Sequence, residues 1–423
     1  MTGDARGAPE DRRAIAGIPL EAYLVGVSVF LVIAATNIMT PLLPDIRSDF
    51  AVSIATAGVI VGSYGLARLL TDLPAGFVID RLGHRNVVVA GALLLVASSV
   101  LGLNAASVPM LIAARVGSGV AVALITTVGL ATLGAIATNA NRGKVMSFFH
   151  VANNIGIAFY PLLGGFVGAA FGWRATFAVT IALAIVAAAI LVPILLRVHP
   201  REKTATAGKG DARVLHGRER ATALAVTNYG VVANMINRHG FRNTVLPLYA
   251  ATSLGLGGVS IATAIALMSI TGLFVATPGG MLGDRFGRRR VIMSGLAAVA
   301  VGDIAFLLTH DLLTFLVFAA LIGFGDFFSS SQTALLSEVV PGTHRTKVLA
   351  GYRFSADLGA FLGPVLLAAV MDIANAQASI ALAAAILLSA SAAAKLGVPA
   401  RVDERPAAAP AAIAAIGGVS DGE

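Results

Sequence analysis

No cysteine occurs in the 423 residues. Disulfides, thiolate catalysis, Cys-ligated metals and Fe–S clusters are excluded. Charge is nearly as scarce, at 12% of residues, against about 25% in an ordinary soluble domain. With 57% apolar residues and a mean hydropathy of +0.86, the chain has too little polar surface to meet water. Lipid is its natural solvent. No Walker-type phosphate loop is present, so ATP-driven pumping is unsupported. The seven histidines form no metal-spaced cluster, and no enzymatic constellation emerges. Aromatics are sparse at 6%, and the single tryptophan, Trp173, is placed as an interfacial anchor.

What is present is a series of long apolar runs. A membrane-crossing helix needs roughly 20 mostly apolar residues. Twelve stretches qualify, at 20–41, 53–79, 86–105, 109–137, 146–170, 174–196, 221–249, 259–282, 290–309, 312–339, 347–370 and 375–396. The expected organisation is a tail (1–19), a first unit (20–196), a linker (197–220), a second unit (221–396) and a tail (397–423). No cleavable signal peptide is evident, because the polar start leads straight into a full-length span.

The net charge of +8 is explained by topology. With both termini cytoplasmic, every Lys and Arg falls in a cytoplasmic segment except Arg47, Arg174 and five arginines inside spans. That is the positive-inside pattern, and it removes the motive for nucleic-acid binding.

The halves repeat each other. "GFVIDRLGHR" starts at Gly76 and "GMLGDRFGRR" at Gly280, 204 residues later. Asn141–Ser147 (NRGKVMS) and His344–Ala350 (HRTKVLA) each lead into a span, and Pro74 and Pro278 each precede the repeated Gly by two residues. The pattern reads as a duplicated six-helix unit.

These phrases resemble the signature of the major facilitator superfamily, in the loops between spans two and three and between eight and nine. The resemblance covers nearly the whole chain between the tails, with His84 standing where the family usually has Arg or Lys. It implies an all-α membrane protein of twelve transmembrane helices in two pseudo-symmetric six-helix bundles, with substrate near the bilayer midplane. "RVGSG" (Arg115–Gly119) and "GIAFYPLLGG" (Gly156, Pro161, Gly164, Gly165) resemble motifs of the twelve-span drug:proton antiporter branch, with Ser118 and Tyr160 as departures.

The conformational motif comprises Gly76, Asp80, Arg81, Gly83, Arg85, Gly280, Asp284, Arg285, Gly287 and Arg288. Its carboxylates could cap a neighbouring helix N-terminus. The family fold places the start of span eleven beside Asp80, as a latch holding the cytoplasmic side shut. The alternative is a topology anchor with no moving part.

Charges within spans are costly and usually functional. Arg68 and Asp72 share a face of span two, and Arg353 and Asp357 share a face of span eleven. Counted at 1.5 Å per residue, Asp72 and Arg353 lie roughly 12 and 9 Å from the cytoplasmic ends, and Arg68 and Asp357 roughly 18 and 15 Å. Cross-pairs Asp72–Arg353 and Arg68–Asp357 would close an inward gate; otherwise each pair neutralises itself within its helix.

Arg115 could favour the ionised form of a nearby carboxylate or orient water, or else snorkel outward as an anchor. Asp326, with no charged neighbour within one turn, ranks with Asp357 as a proton carrier; helix packing through Ser329–Gln332 is the alternative. Asn234, Arg238 and Arg242 form a polar i, i+4, i+8 stripe on span seven, reading either as a substrate cavity or as an outer-gate network. His239 is a weak pH-sensor candidate. Asn153 and Asn154 could bond substrate or neighbouring helices. Asp303, on a helix peripheral in the family, reads as structural.

The expected function is a proton-coupled secondary transporter of the inner or plasma membrane that exports small amphipathic or drug-like compounds by alternating access. It would need no cofactor beyond the proton gradient. Its partners would be a small-molecule substrate, protons and the lipid bilayer, with no nucleic acid, and it would work as a monomer. The alternative is an importer or uniporter of a small polar or anionic metabolite. A transport-incompetent sensor or scaffold is the remaining reading, for which no signalling domain is visible.

Overall fold

A computed structural model of the chain describes residues 14–15, 18–138, 141–197, 215–340 and 345–403. The first half is built from α1 (Leu20–Asn37), α2 (Leu43–Asp49), α3 (Ile54–Asp72), α4 (Ala75–Leu82), α5 (His84–Leu103), α6 (Val108–Ile136), α7 (Arg142–Phe171) and α8 (Ala175–Arg197). The second half contains α9 (Gly217–Met235), a π-helix (Ile236–Val245), α10 (Leu246–Leu254), α11 (Gly258–Phe286), α12 (Arg288–Ala305), α13 (Leu312–Gly325), α14 (Ser329–Glu338), α15 (Arg345–Ile373) and α16 (Ala376–Gly397).

Among the described residues, nine helices are long and apolar enough to cross a membrane, and two shorter apolar stretches, Leu20–Ile33 and Ile155–Phe171, accompany them. The expected span 221–249 is neither uniform nor apolar. It is divided among α9, the π-helix and α10, because its polar run interrupts both hydropathy and helical register. The expected span 53–79 is broken where Pro74 follows α3, since proline brings no N–H to continue the ladder. Pro278, its counterpart, sits inside an unbroken α11. The expected span 312–339 is likewise divided, by a tight turn at Asp326–Phe328. The expected C-terminal tail contains an ordered turn, Ala400–Asp403, in which Asp403 accepts a hydrogen bond from the Arg289 backbone at 3.0 Å. Most of the expected linker, 198–214, lies outside the described residues.

Buried apolar residues gather in clusters that divide near mid-sequence. One cluster draws on residues 215–402 together with Leu43 and Ala57, and the other two draw only on residues 18–195. Ala57, fully buried among second-half residues, marks a seam between α3 and α15.

That seam is tight at one end. A Cβ at Gly62 would lie 2.8 Å from Val365 Cγ2 and 3.0 Å from the Phe361 carbonyl oxygen; one at Gly65 would lie 2.8 Å from the Phe361 nitrogen. Asp372 Oδ1 accepts from the Ile54 backbone at 3.1 Å, so the last turn of α15 caps the first turn of α3. A second seam pairs Gly165 of α7 with Gly258 and Ala262 of α11 at the same end. Toward the opposite end, where Asp80 and Asp284 lie, Arg353 is exposed and, with Asp72, borders a cavity between the halves. The molecule is closed at the Trp173 end and open at the end bearing the repeated motif.

Trp173 is buried rather than lying out as a free anchor, and its Nε1 donates to Asp49 Oδ2 at 3.1 Å. Arg174 donates to the same oxygen at 2.6 Å and stands over the Trp173 ring at 4.3 Å. The Arg174 and Trp173 hydrogen bonds hold the Asp49 carboxyl below its usual value. A depressed carboxyl stabilises the fold above its unfolded value, and the contribution is lost as pH falls through the folded one. Trp173 emission should therefore change on acid titration with a midpoint below about 3.9, and Asp49→Asn should abolish the transition. A midpoint at or above the ordinary carboxylate value would count against the contact.

The seam gives a second expectation. Overpacking of a close helix contact costs about 1–3 kcal/mol, and 1.4 kcal/mol is about tenfold in an equilibrium. With no native thiol to interfere, a cysteine at Ala57 should react with maleimide roughly tenfold faster once Gly62→Val is added. Unchanged labelling would show that the contact does not govern opening of this end.

Candidate functional site

The open end leads into a cavity of about 410 Å³ bordered by both halves. Its wall combines α3 (Tyr64, Arg68, Asp72), the π-helix (Arg238, His239, Arg242, Asn243), α15 (Arg353, Asp357) and the Asp326 turn.

Across the α3–α15 side, Arg68 Nε stands 3.4 Å from Asp357 Oδ1, a charge pair rather than an aligned hydrogen bond. Asp72, one turn along α3, brings its carboxyl within hydrogen-bonding reach of Asp357. Of the two cross-pairs expected from helix depth, Arg68–Asp357 is formed. Asp72–Arg353 is not: Asp72 faces Asp357, and Arg353 is exposed at the open end.

On the second-half side, Arg242 grips Asp326 with both terminal nitrogens, at 2.6 and 3.0 Å. Asp326 is therefore paired, contrary to the expectation of an isolated carboxylate; its partner is 84 residues away in sequence. Arg242 Nε also donates to Asn237 Oδ1 at 3.1 Å, and Asn237 donates onward to Asp303. Asp303 is wholly buried and is joined to Arg242 only through Asn237. The network Asp326–Arg242–Asn237–Asp303 runs from the cavity wall into the second-half core.

The π-helix makes this arrangement. Its i→i+5 bonding changes the face on which successive residues emerge, so Arg238 and Arg242 line the cavity whereas Asn234 is buried outside its wall. The predicted three-residue stripe is broken for that reason. Gly240 meets the Gly363 backbone, an approach that any side chain there would block.

The remaining marked residues lie elsewhere. Arg115 is buried 4.8 Å from the Tyr64 ring, beside a small pocket separate from the main cavity. Pro161 lines the cavity; Gly156 packs on Phe30, Gly164 on Ile38, and Gly165 lies in the α7–α11 seam. The side chains of Asn153 and Asn154 lie outside the described residues.

In the repeated motif, Gly83 and Gly287 turn the chain at φ +80° and +99°, conformations L side chains rarely adopt. Arg81, Arg85 and Arg285 are exposed. Arg288 reaches Asp284 at 2.5 Å, Glu338 at 3.2 Å and the Gly280 carbonyl at 3.3 Å. The corresponding first-half positions of Arg288 and Glu338 are His84 and Gly134, so this clamp has no first-half equivalent. Burial lowers the His84 imidazole, partly opposed by Asp80. Asp80 is exposed and pairs with no described residue; residues 341–344 and the Arg345 side chain, where its latch was expected, lie outside the described residues.

Tyr64, Glu338 and Asp372 escaped the sequence reading. Only the polar run 234–243 signalled part of the network, without revealing its register. Among the described residues there is no His/Asp/Glu group fit to hold a metal.

A model of the Major Facilitator Superfamily matches residues 25–238 and 229–419. The chain is 24% identical over 351 residues to Multidrug resistance protein 2 of Bacillus subtilis (strain 168), covering 82% of this chain and 87% of that one. It is 27% identical over 271 residues to a chloramphenicol resistance protein of Streptomyces lividans, covering 63% and 68%. Its fold superposes on a crystal structure of a peptide transporter, POT, in complex with alafosfalin, at a TM-score of 0.76 and 13% identity, covering 93% and 97%.

Removing one partner of a buried ion pair costs about 3–5 kcal/mol, because the other charge is stranded. Arg242→Gln should therefore sharply lower the melting temperature of the purified protein. Arg242→Gln with Asp326→Asn should recover much of the loss. Equal melting temperatures for the single and double variants would mean that Asp326 is not the group Arg242 compensates.

Proposed function

Because the chain belongs to the Major Facilitator Superfamily, we propose that this multi-pass membrane transporter exchanges protons for small amphipathic compounds, exporting them by alternating access. The proposed arrangement is twelve spans in two six-helix bundles, working as a monomer in the inner or plasma membrane. Both termini and the motif-bearing end face the cytoplasm. The cavity then opens inward.

The observation that carries the reading is Arg68 and Asp72 of α3 meeting Asp357 of α15 across the two halves. With a proton held between Asp72 and Asp357, Asp72 has no charge to offer Arg353, and the inner end stays open. Once the proton leaves, Asp72 can pair with Arg353 and draw α3 and α15 together there. The glycine seam at the Trp173 end must then part. Proton loading thus favours the inward-open form, and proton loss favours closure around cargo. That is the order an antiporter requires. The drug- and antibiotic-resistance names of the relatives support export of drug-like compounds.

A second reading, import or uniport of a small polar or anionic metabolite, draws support from Arg238 on the cavity wall.

Proteoliposomes with an imposed pH difference test the proposal, using chloramphenicol as the first cargo and a set of drug-like compounds thereafter. Wild type should concentrate a cargo against its gradient and stop when the pH difference is dissipated. Asp72→Asn and Asp357→Asn should each abolish concentrative movement yet retain cargo-for-cargo exchange. Equal movement with and without the pH difference would sink proton coupling and favour uniport.

A further inference from the structure

Four arginines and three aspartates share the cavity wall, and their pairing leaves two guanidinium groups over, Arg238 and Arg353. Arg242 is committed to Asp326, and Arg68 faces Asp357 with Asp72 behind it. Arg353 stands exposed at the open end. Arg238 makes no hydrogen bond or ion pair with any described residue; its nearest charges are Asp326, already held by Arg242, and Arg242 itself.

A guanidinium at this depth is costly unless something answers it. Its planar fork fits a carboxylate or similar oxyanion through two parallel hydrogen bonds. His239 and Asn243, from the same π-helix, border the same space. Around this polar spot the wall is apolar: Ile33, Leu130 and Ile157 come from the first half, and Met268 and Leu273 from the second. The volume of about 410 Å³ falls within the range of small-molecule sites, roughly 300–1,000 Å³. The aspartates on the wall are engaged otherwise: Asp326 is held by Arg242, Asp357 faces Arg68, and Asp72 stands beside Asp357 in the pair proposed to take the proton.

We propose that Arg238 is the subsite for the carboxylate of an amphipathic organic acid, whose apolar body lies against the walls contributed by both halves. This inference rests on the cavity being the cargo site, and it holds for either direction of transport.

Three probes sharing a naphthyl body separate the possibilities: 1-naphthylacetate, its isostere 1-naphthylacetamide, and 2-(1-naphthyl)ethylammonium. Their binding to the purified full-length protein in nanodiscs would be measured calorimetrically, with no gradient present. Wild type should bind the carboxylate at least about tenfold more tightly than the amide, the scale of a charge-assisted hydrogen bond, and the ammonium most weakly. Arg238→Gln should erase the preference chiefly by weakening the carboxylate, with an unchanged melting temperature of the purified variant as the check on its fold. Arg238→Lys should restore part of it. The wild-type ranking decides the matter even if a variant fails to fold. A carboxylate that binds no better than its amide, or an undiminished preference in Arg238→Gln, would overturn the proposal. Carboxylate selectivity without proton-driven transport would sink the antiport reading and leave this subsite standing; the converse result would do the reverse.

Discussion

A chain with so little charge places five arginines inside its long apolar stretches, and the cavity is organised by how each finds an answer. A guanidinium cannot shed its proton to escape an apolar setting. It must meet a carboxyl, an aromatic face, water or a ligand. Arg115 meets the Tyr64 ring, Arg242 meets Asp326, and Arg68 meets Asp357 across the two halves. The Arg68–Asp357 contact matters most, because it joins parts that alternating access would have to move. On the proposed reading, its strength would depend on the proton held by the neighbouring carboxyl, which would supply a physical route from proton binding to shape.

The α3–α15 interface can serve such a movement because its surface changes character along its length. Over Gly58–Gly65 the helices approach backbone to backbone, a contact that is either made or lost. Beyond Arg68 the interface is ionic and open, and its geometry depends on charge. A rocking motion about the Arg68–Asp357 level would exchange one kind of contact for the other. α15 is also braced from behind, where Gly359 and Gly363 admit α9 and the π-helix. Movement at Asp357 would thereby reach the element carrying Arg238 and Arg242.

The sequence made the Arg68–Asp357 pairing legible because a straight helix converts residue number into depth, and the family resemblance supplied which helices face each other. The same arithmetic matched Asp72 with Arg353, but depth alone does not say whether the facing helices are together or apart at that level. Asp326 looked isolated because its partner comes from another helix. The π-helix was beyond reach for a local reason: one change of hydrogen-bond register turns Asn234 out of the cavity and keeps Arg242 in it. Asp303 was read from its helix's usual place in the family. Its contact with Asn237, set by tertiary packing, connects it to the cavity wall.

The two motif copies carry unequal mechanical loads. In the second, Arg288 ties Asp284, Glu338 and the Gly280 carbonyl together, fastening the α11–α12 corner to the end of α14. In the first, His84 and Gly134 occupy the positions of Arg288 and Glu338, and a helix break at Pro74 further loosens the corner. A shared ancestry explains the repeated phrase, but the side chains divide the labour. The second half holds the buried network and the clamped corner, and on the proposed reading it would be the body against which α3 shifts. On the proposed reading, α3 also carries half of the proton-binding pair. The looser corner is thus attached to the helix whose displacement proton binding would control.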